Sequence, residues 1–295
     1  MIIPRSTVLA SYTVPAVSPI PFAALFSASL FSPSRYLPVF IPDISLTCVK
    51  SYYAEMLDID PHKIFSVSIM PCLAKKSECA LPTMRDACGN PDVDVVLTVR
   101  EVDRMIREEH VNVSALEDSS FDESLGIGTG ASIIFGATGG VMEVALRTAY
   151  HVATGKTPSD DMFKDVRGLD GWKEATFGLA GRELRVAVTS GLANADALCR
   201  ALIGGRTAYD FVEVMACPGG CVGGGGQPIH EGQELAEIRG KTLYGLDKVA
   251  QWRNSYENPS IVACYNDYLG APLSEKAECL LHTDQHGWVI PDEKI

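Results

Sequence analysis

The first 42 residues contain no acidic residue and only two basic residues, Arg5 and Arg35, whereas the whole chain of 295 residues has 37 acidic and 25 basic residues. Prolines interrupt the apolar stretches of this segment. No window therefore supplies the roughly 20 apolar residues of a transmembrane helix, or the clean apolar core of a secretory signal. The serine-rich, acid-free composition is typical of an organelle transit peptide, although arginine is sparse. We predict an atypical N-terminal segment over residues 1–45.

The chain also lacks a basic surplus and a regular cysteine pattern. Its formal net charge of −12 argues against nucleic acid as a partner, because phosphates need a basic face. Its nine cysteines are odd in number and irregular in spacing, so a disulfide framework is excluded in a chain of this length. Thiolates that bind a metal or act in catalysis, in a reducing compartment, are the better interpretation.

Beyond residue 45, apolar strands alternate with helical segments, which indicates βαβ units and a mainly parallel sheet. The chain is therefore predicted to be α/β. The predicted strands are 64–70, 93–99, 184–188 and 209–215. The predicted helices are 49–57, 100–109, 131–153, 192–203, 259–269 and 273–282, with a polar loop over 110–129.

Two cysteine motifs occupy equivalent places, each just beyond the end of an apolar strand. The first cysteine loop (residues 71–74) follows Met70 and contains Cys72. The second cysteine loop (residues 216–226) follows Met215 and contains Cys217 and Cys221. Ligands of open α/β sheets bind at the carboxyl ends of the strands, so the placement itself indicates a site.

Glycine and lysine residues strengthen this interpretation. Residues 223–226 are four consecutive glycines, which suggests that the backbone must approach something bulky, such as a metal cluster. Lys75 follows Cys72 by three residues, so a helix beginning there would direct its ammonium toward the thiolates. A zinc site built from the three cysteines is the simpler alternative, but it explains neither Lys75 nor the glycines.

The two motifs, MPC-x-x-K-K-x-E and E-x-M-A-C-P-G-G-C-x-x-G-G-G-Q-P, resemble signatures of the FeFe-hydrogenases. The resemblance extends through residues 135–143 and 268–277 and covers about residues 49–282. It implies two lobes with mainly parallel sheets flanked by helices and a metal cluster buried between them. The implied division is a partial large-subunit catalytic domain over 46–255 and a small-subunit-like helical tail over 256–295.

The resemblance implies an H-cluster, which is a 4Fe-4S cluster joined to a two-iron subcluster with CO, cyanide and a bridging dithiolate. Cys72 and Cys217 resemble ligands of the cubane, and Cys221 resembles the cysteine that bridges the cubane and the two-iron unit. The implied reaction is the reversible reduction of protons to dihydrogen.

Five further residues are implied to surround the two-iron unit. Lys75 would donate a hydrogen bond to an iron-bound cyanide. Met70 and Met215 would pack beside the unit as soft, polarizable neighbours. Phe135 and Gly136 would line the same pocket.

The first signature of the family, Thr-Ser-Cys-Cys-Pro-x-Trp, is absent, and with it the fourth cubane ligand and the nearest proton donor. Cys48 is too close to the following helix to match that signature, which leaves its replacement of the lost ligand as a minor alternative. The simplest account is a truncated or mis-joined coding sequence whose hydrogenase-like part begins near Val49. A divergent paralogue is the alternative. The other five cysteines, Cys79, Cys88, Cys199, Cys264 and Cys279, are interpreted as buried free thiols.

The implied partners are ferredoxin, or a similar electron carrier, and the hydrogenase maturation proteins, with no role for a membrane. No ferredoxin-type cysteine run is present, so no accessory cluster is encoded. The protein is expected in the cytoplasm, or in a hydrogenosome or plastid if residues 1–42 are a transit peptide. The competing function is that of a hydrogenase-like protein of iron–sulfur cluster assembly, a scaffold without hydrogenase activity.

Overall fold

The computed structural model describes residues 47–85, 87–119, 127–169 and 171–281, together with a two-residue strand at Ala10–Ser11. The rest of the predicted N-terminal segment, the centre of the predicted loop over 110–129 and the end of the predicted tail lie outside the described residues. Every described helix is too short or too polar to span a membrane.

Two three-stranded sheets form the framework, and they differ in strand direction. The first sheet is entirely parallel, with the strand order β1 (Ala10–Ser11), β2 (Val67–Met70) and β3 (Val95–Thr98). The second sheet is mixed, with the order β4 (Trp172–Leu179), β5 (Arg182–Ser190) and β6 (Phe211–Met215). The pair β4–β5 is antiparallel and the pair β5–β6 is parallel. The α/β class with mainly parallel sheets is thus confirmed.

Short helices surround these sheets. In chain order they are α1 (Ala54–Met56), α2 (Lys75–Glu78), α3 (Val99–Glu108), α4 (Gly130–Ile134), α5 (Gly140–Thr154), α6 (Leu192–Ile203), α7 (Ala236–Val249), α8 (Pro259–Cys264) and α9 (Glu275–Leu281). A π-helical turn, Val49–Tyr53, precedes α1, and a second, Tyr265–Leu269, follows α8. Local sequence sets several of these boundaries. For example, Thr98 and Glu101 form a capping box that starts α3.

The described residues form several hydrophobic clusters, one of which packs against each sheet. The cluster of the second sheet lies between this sheet and α5 and includes Met142, Leu146 and Val186. A smaller cluster of Met70, Val93 and Val96 supports the first sheet. A further cluster, as large as that of the second sheet, lies beneath the tail helices α8 and α9. Among the described residues, the parallel sheet therefore has less apolar support than the mixed sheet.

The predicted helix over 131–153 is wrong in one respect, because the structure divides it into α4 and α5. The turn Phe135–Gly139 separates them, and Gly139 adopts a φ of 85°. A Cβ at Gly140 would overlap the carbonyl oxygen of Ile134, so the chain can turn here only with glycine. Strand β4 and helix α7 were not predicted, because β4 carries charged residues and α7 contains two glycines.

Candidate metal centre

The two cysteine loops leave different sheets and meet at their backbones. Strand β2 ends at Met70, and β6 ends at Met215. The amide of Gly226 donates a 2.9 Å hydrogen bond to the carbonyl oxygen of Pro71. A Cβ at Gly226 would lie 2.9 Å from the amide nitrogen of Cys72, and one at Gly224 would overlap the Pro71 oxygen. Gly224 and Gly226 make room for the first cysteine loop, and Gly223 makes room for Pro218 of its own loop. The expected approach of the glycines to a cluster stays a prediction.

The three motif thiols share one electrostatic environment. Cys72, Cys217 and Cys221 are all half-buried and unpaired by disulfides. The pKa of Cys221 is raised to about 11, first by burial and then by negative charge on the neighbouring Cys72 and Cys217. Two motifs far apart in the sequence are therefore brought together, and their thiolates repel one another unless positive charge lies between them.

Lys75 supplies part of that positive charge, but its ammonium is also bound within its own helix. Its charge lowers the pKa of Cys221. Its Nζ donates a 2.8 Å hydrogen bond to Glu78 Oε1 along α2. A ligand that accepts a hydrogen bond from Lys75 must therefore share this ammonium with Glu78.

The apolar site residues lie close to the loops. Met70 is 4% exposed and belongs to the cluster against which Cys72 packs. Phe135 is 3% exposed. The carbonyl oxygen of Gly136 accepts a 2.9 Å hydrogen bond from the amide of Val222 in the second cysteine loop. Met215, which is half-buried, ends β6 just before that loop.

The remaining cysteines are not uniformly buried, which corrects the sequence interpretation. Cys199 and Cys279 are exposed, because they lie on the outer faces of α6 and α9. Cys48 is buried with Cys264 in the cluster beneath the tail helices. A hydrogen bond with Cys264, together with burial, raises the pKa of Cys48 well above its usual range. Cys48 is thus placed with the tail and not with the motif thiols.

Two charged residues that hold the second cysteine loop were missed at the sequence level. The Arg100 guanidinium donates hydrogen bonds of 2.8 Å to the carbonyl oxygens of Gly225 and Gln227. Glu213 is buried in β6, and burial raises its pKa to about 7 although two backbone amides lower it. Glu213 is the first residue of the quoted motif E-x-M-A-C-P-G-G-C and the single charged residue in the apolar strand FVEVM, but it was assigned no role at the sequence level.

The donor set consists of cysteine thiols, which are among the ligands that iron–sulfur clusters take. Thiolates are the ligands of Fe–S clusters, zinc and Cu(I). Within the described residues, no three Cys, His, Asp or Glu side chains are close enough to hold one metal ion. A cubane binds each thiolate at a different iron, so it accepts more widely separated sulfurs. The two loops supply three of the four thiolates that a cubane ordinarily takes.

Family models and relatives agree with this arrangement. The model of the iron-only hydrogenase large subunit, C-terminal domain, matches residues 44–225, and that of the iron hydrogenase small subunit matches residues 233–286. The chain belongs to the iron-only hydrogenase family and carries a small-subunit-like tail. It is 49% identical over 235 residues to the NADP-reducing hydrogenase subunit HndD of Solidesulfovibrio fructosivorans, which covers 79% of this chain and 40% of that protein.

Two further likenesses frame the functional question. The chain is 35% identical over 246 residues to cytosolic iron-sulfur assembly component 3 of Rattus norvegicus, covering 81% of this chain and 51% of that protein. Its fold matches an apo form of FeFe-hydrogenase HydA1 from Chlamydomonas reinhardtii with a TM-score of 0.73 and 33% identity, over 92% of this chain and 81% of that one. The chain spans about half the length of the curated relatives it matches.

Proposed function

We propose that Cys72, Cys217 and Cys221 bind a 4Fe-4S cluster and that the chain acts as an FeFe-hydrogenase, reducing protons reversibly with electrons from ferredoxin. One observation carries the proposal: loops from two separate sheets meet backbone to backbone through Gly224 and Gly226. A binding site formed by one loop would not need this contact. The contact brings together the thiols that follow the ends of two strands.

The chain's own residues prepare this place for a metal cluster. When bound, the H-cluster supplies the redox chemistry that joins protons and electrons. Binding requires thiolates, so the raised pKa of Cys221 means that cluster uptake releases a proton from this sulfur. Met70 and Phe135 exclude water from one side, and Lys75 stabilises anionic ligands.

Anaerobic reconstitution tests the proposal. The apo protein is incubated with iron and sulfide, and iron and acid-labile sulfide are then counted per chain. We expect about four irons per chain in the wild type and strongly reduced uptake in Cys217→Ser, with Cys199→Ser, at an exposed thiol, as the matched control. Equal uptake in all three proteins would refute the assigned ligands.

Activity is then measured after coexpression with the hydrogenase maturation proteins. Dihydrogen evolution from reduced ferredoxin that occurs only when the maturation proteins are coexpressed would support the hydrogenase function.

The second candidate function is a scaffold of iron–sulfur cluster assembly. It is favoured by the 35% identity to cytosolic iron-sulfur assembly component 3 over most of this chain. A stable cubane with no dihydrogen evolution after maturation would favour this scaffold, and a chain that binds no iron would contradict both functions.

A further inference from the structure

Glu213 is a buried carboxylate with two backbone partners and no basic side chain among its hydrogen bonds. It is 5% exposed and lies on β6, four residues before Cys217. Its Oε1 accepts a 2.7 Å hydrogen bond from the amide of Gly139, and its Oε2 accepts one of 2.7 Å from the amide of Met142. Burying a carboxylate costs free energy unless hydrogen bonds compensate for the loss of water, so these two bonds are needed to keep Glu213 at this position.

The two amides belong to the turn Phe135–Gly139 and to the first turn of α5. No side chain near Gly139 caps this helix, although the first amides of any helix need acceptors. Glu213 caps it instead, from 74 positions further along the chain. The positive end of the helix also favours a carboxylate at this point. The side chain thus fixes where α5 begins.

The same turn is bonded to the second cysteine loop. The amide of Val222 donates to the carbonyl oxygen of Gly136 at 2.9 Å, and the amide of Thr138 donates to that of Gly219 at 3.0 Å. A Cβ at Gly220 would lie 2.9 Å from the amide nitrogen of Thr138. A shift of the turn therefore moves the backbone on both sides of Cys221.

We propose that Glu213 is a positioning residue for Cys217 and Cys221. Glu213 lies on β6, which leads into the second cysteine loop. Through its bonds to Gly139 and Met142 it also holds the turn Phe135–Gly139, against which this loop packs. The role in cluster binding rests on the proposed function, whereas the placement of the two thiols can be tested without any cluster.

The test compares Glu213→Gln with wild-type apo protein at pH 8. Alkylation by iodoacetamide is followed at each cysteine by mass spectrometry, with the exposed Cys199 and Cys279 as internal references. Gln retains the size of the side chain, but its NH₂ group replaces one of the two oxygens that accept from Gly139 and Met142. Two donors then face each other, and one hydrogen bond is lost. Because the side-chain amide of Gln cannot accept from both backbone amides, we expect alkylation of Cys217 and Cys221 to accelerate about tenfold or more. Unchanged rates at both cysteines in a folded variant would overturn the proposal.

Glu257→Gln is the matched control, because Glu257 also accepts from a backbone amide, that of Asn254 at 3.0 Å. This control should leave both loop thiols unchanged. A spectroscopic readout separates positioning from stability. After reconstitution, the electron paramagnetic resonance spectrum should change in Glu213→Gln and not in Glu257→Gln. If wild-type protein binds no iron, the proposed function fails while the alkylation result still decides the placement.

A measurement on the wild type covers the case in which Glu213→Gln does not fold. We expect the amides of Gly139 and Met142 to be among the slowest to exchange with deuterium, because both donate to a buried acceptor. Exchange as fast as that of the exposed amides of residues 113–115 would also overturn the proposal.

Discussion

The second cysteine loop is held on several sides, whereas the first is held mainly by the second. Besides the turn Phe135–Gly139, the second loop contacts α7, where Arg239 Nη1 donates a 3.0 Å hydrogen bond to the carbonyl oxygen of Val222. The first loop follows the four-residue strand β2, which lies between β1 and β3, and two residues of β1 are described. From this difference we infer that the second loop is the template, meaning the more firmly held part on which the first loop rests. The position of Cys72 then depends on the junction, which is the backbone contact of Gly224 and Gly226 with residues 70–72.

The largest effect is expected from a substitution beneath the template. Asp247 on α7 accepts hydrogen bonds from Arg147 at 2.9 and 2.7 Å and from Arg253, and its side chain is 1% exposed. Asp247→Ala removes the carboxylate that Arg147 and Arg253 share, and leaves Glu143 to the first and Asp160 to the second as ion-pair partners. It should lower the free energy of unfolding by about 3–5 kcal/mol. Urea denaturation of the apo protein measures the loss.

Asp196→Ala is the control for this prediction, because Asp196 forms an exposed ion pair with Arg200 on α6. Such surface pairs contribute about 0–1 kcal/mol. A loss of similar size in the two variants would show that the buried network does not support the template.

The next effect concerns the electrostatic link between the loops. Burial, followed by the charges of Cys72 and Cys217, raises the pKa of Cys221 from 9.0 to about 11. At pH 8 its thiolate fraction should thus be about a hundredfold below that of an unperturbed thiol, since each pKa unit is a factor of ten. The rate of Cys221 alkylation in apo protein should rise with pH until about pH 11. Cys72→Ser should shift this profile to lower pH, and an unshifted profile would mean that the loops are not coupled.

The junction itself can be opened with one methyl group. Gly224 has φ −66° and ψ 151°, which alanine also adopts, so the effect of Gly224→Ala comes from the clash of its Cβ with the Pro71 oxygen and from a close approach of 2.9 Å to the Cys221 oxygen. We expect a loss of about 2 kcal/mol in the free energy of unfolding, typical of overpacking, and faster alkylation of Cys72. Gly225→Ala is the matched control, since its Cβ would meet only the flexible side chain of Leu73. Equal effects of the two substitutions would contradict the close contact.

The smallest effect is expected at Arg100, which connects α3 of the first sheet to the glycines of the second loop. Lysine keeps the charge but loses the 3.1 Å hydrogen bond that Arg100 Nε donates to the carbonyl oxygen of Gln227, together with the planar fork of donors that holds both carbonyls. Arg100→Lys should therefore cost about 1 kcal/mol in urea denaturation. Arg104→Lys, at an exposed position on the same helix, should have no measurable effect.

Much of the fold near the motifs followed from local patterns. Helix 192–203 was predicted with the bounds that α6 has, and the predicted strands that precede the motifs end where β2 and β6 end. These elements have clear apolar patterns and sharp boundaries at proline or glycine. Strand β4 was missed because its side chains alternate between half-buried and exposed positions and include charges.

What the sequence could not reveal depends on distant partners. The break between α4 and α5 follows from the tight approach of Gly139 to Val166 and of Gly140 to Ile134. The partners of Glu213 lie more than 70 positions away, so no local pattern connects them. The motifs predict which cysteines share a site, and this stays a prediction, whereas the close contact of Gly224 and Gly226 with the first loop became visible only with both loops in place.

That glycine run also determines how freely this stretch can vary. At 223, 224 and 226 a side chain of any chemistry meets backbone, of Pro218 at the first position and of residues 70–72 at the other two. Position 225 faces outward and is exposed. A saturation library over the four codons should thus retain variants only at the third, and it should reject alanine and tryptophan alike at the other three. Steric exclusion, rather than reactivity, is thus expected to require glycine at these positions, whereas at the neighbouring cysteines the proposed function requires the sulfur itself.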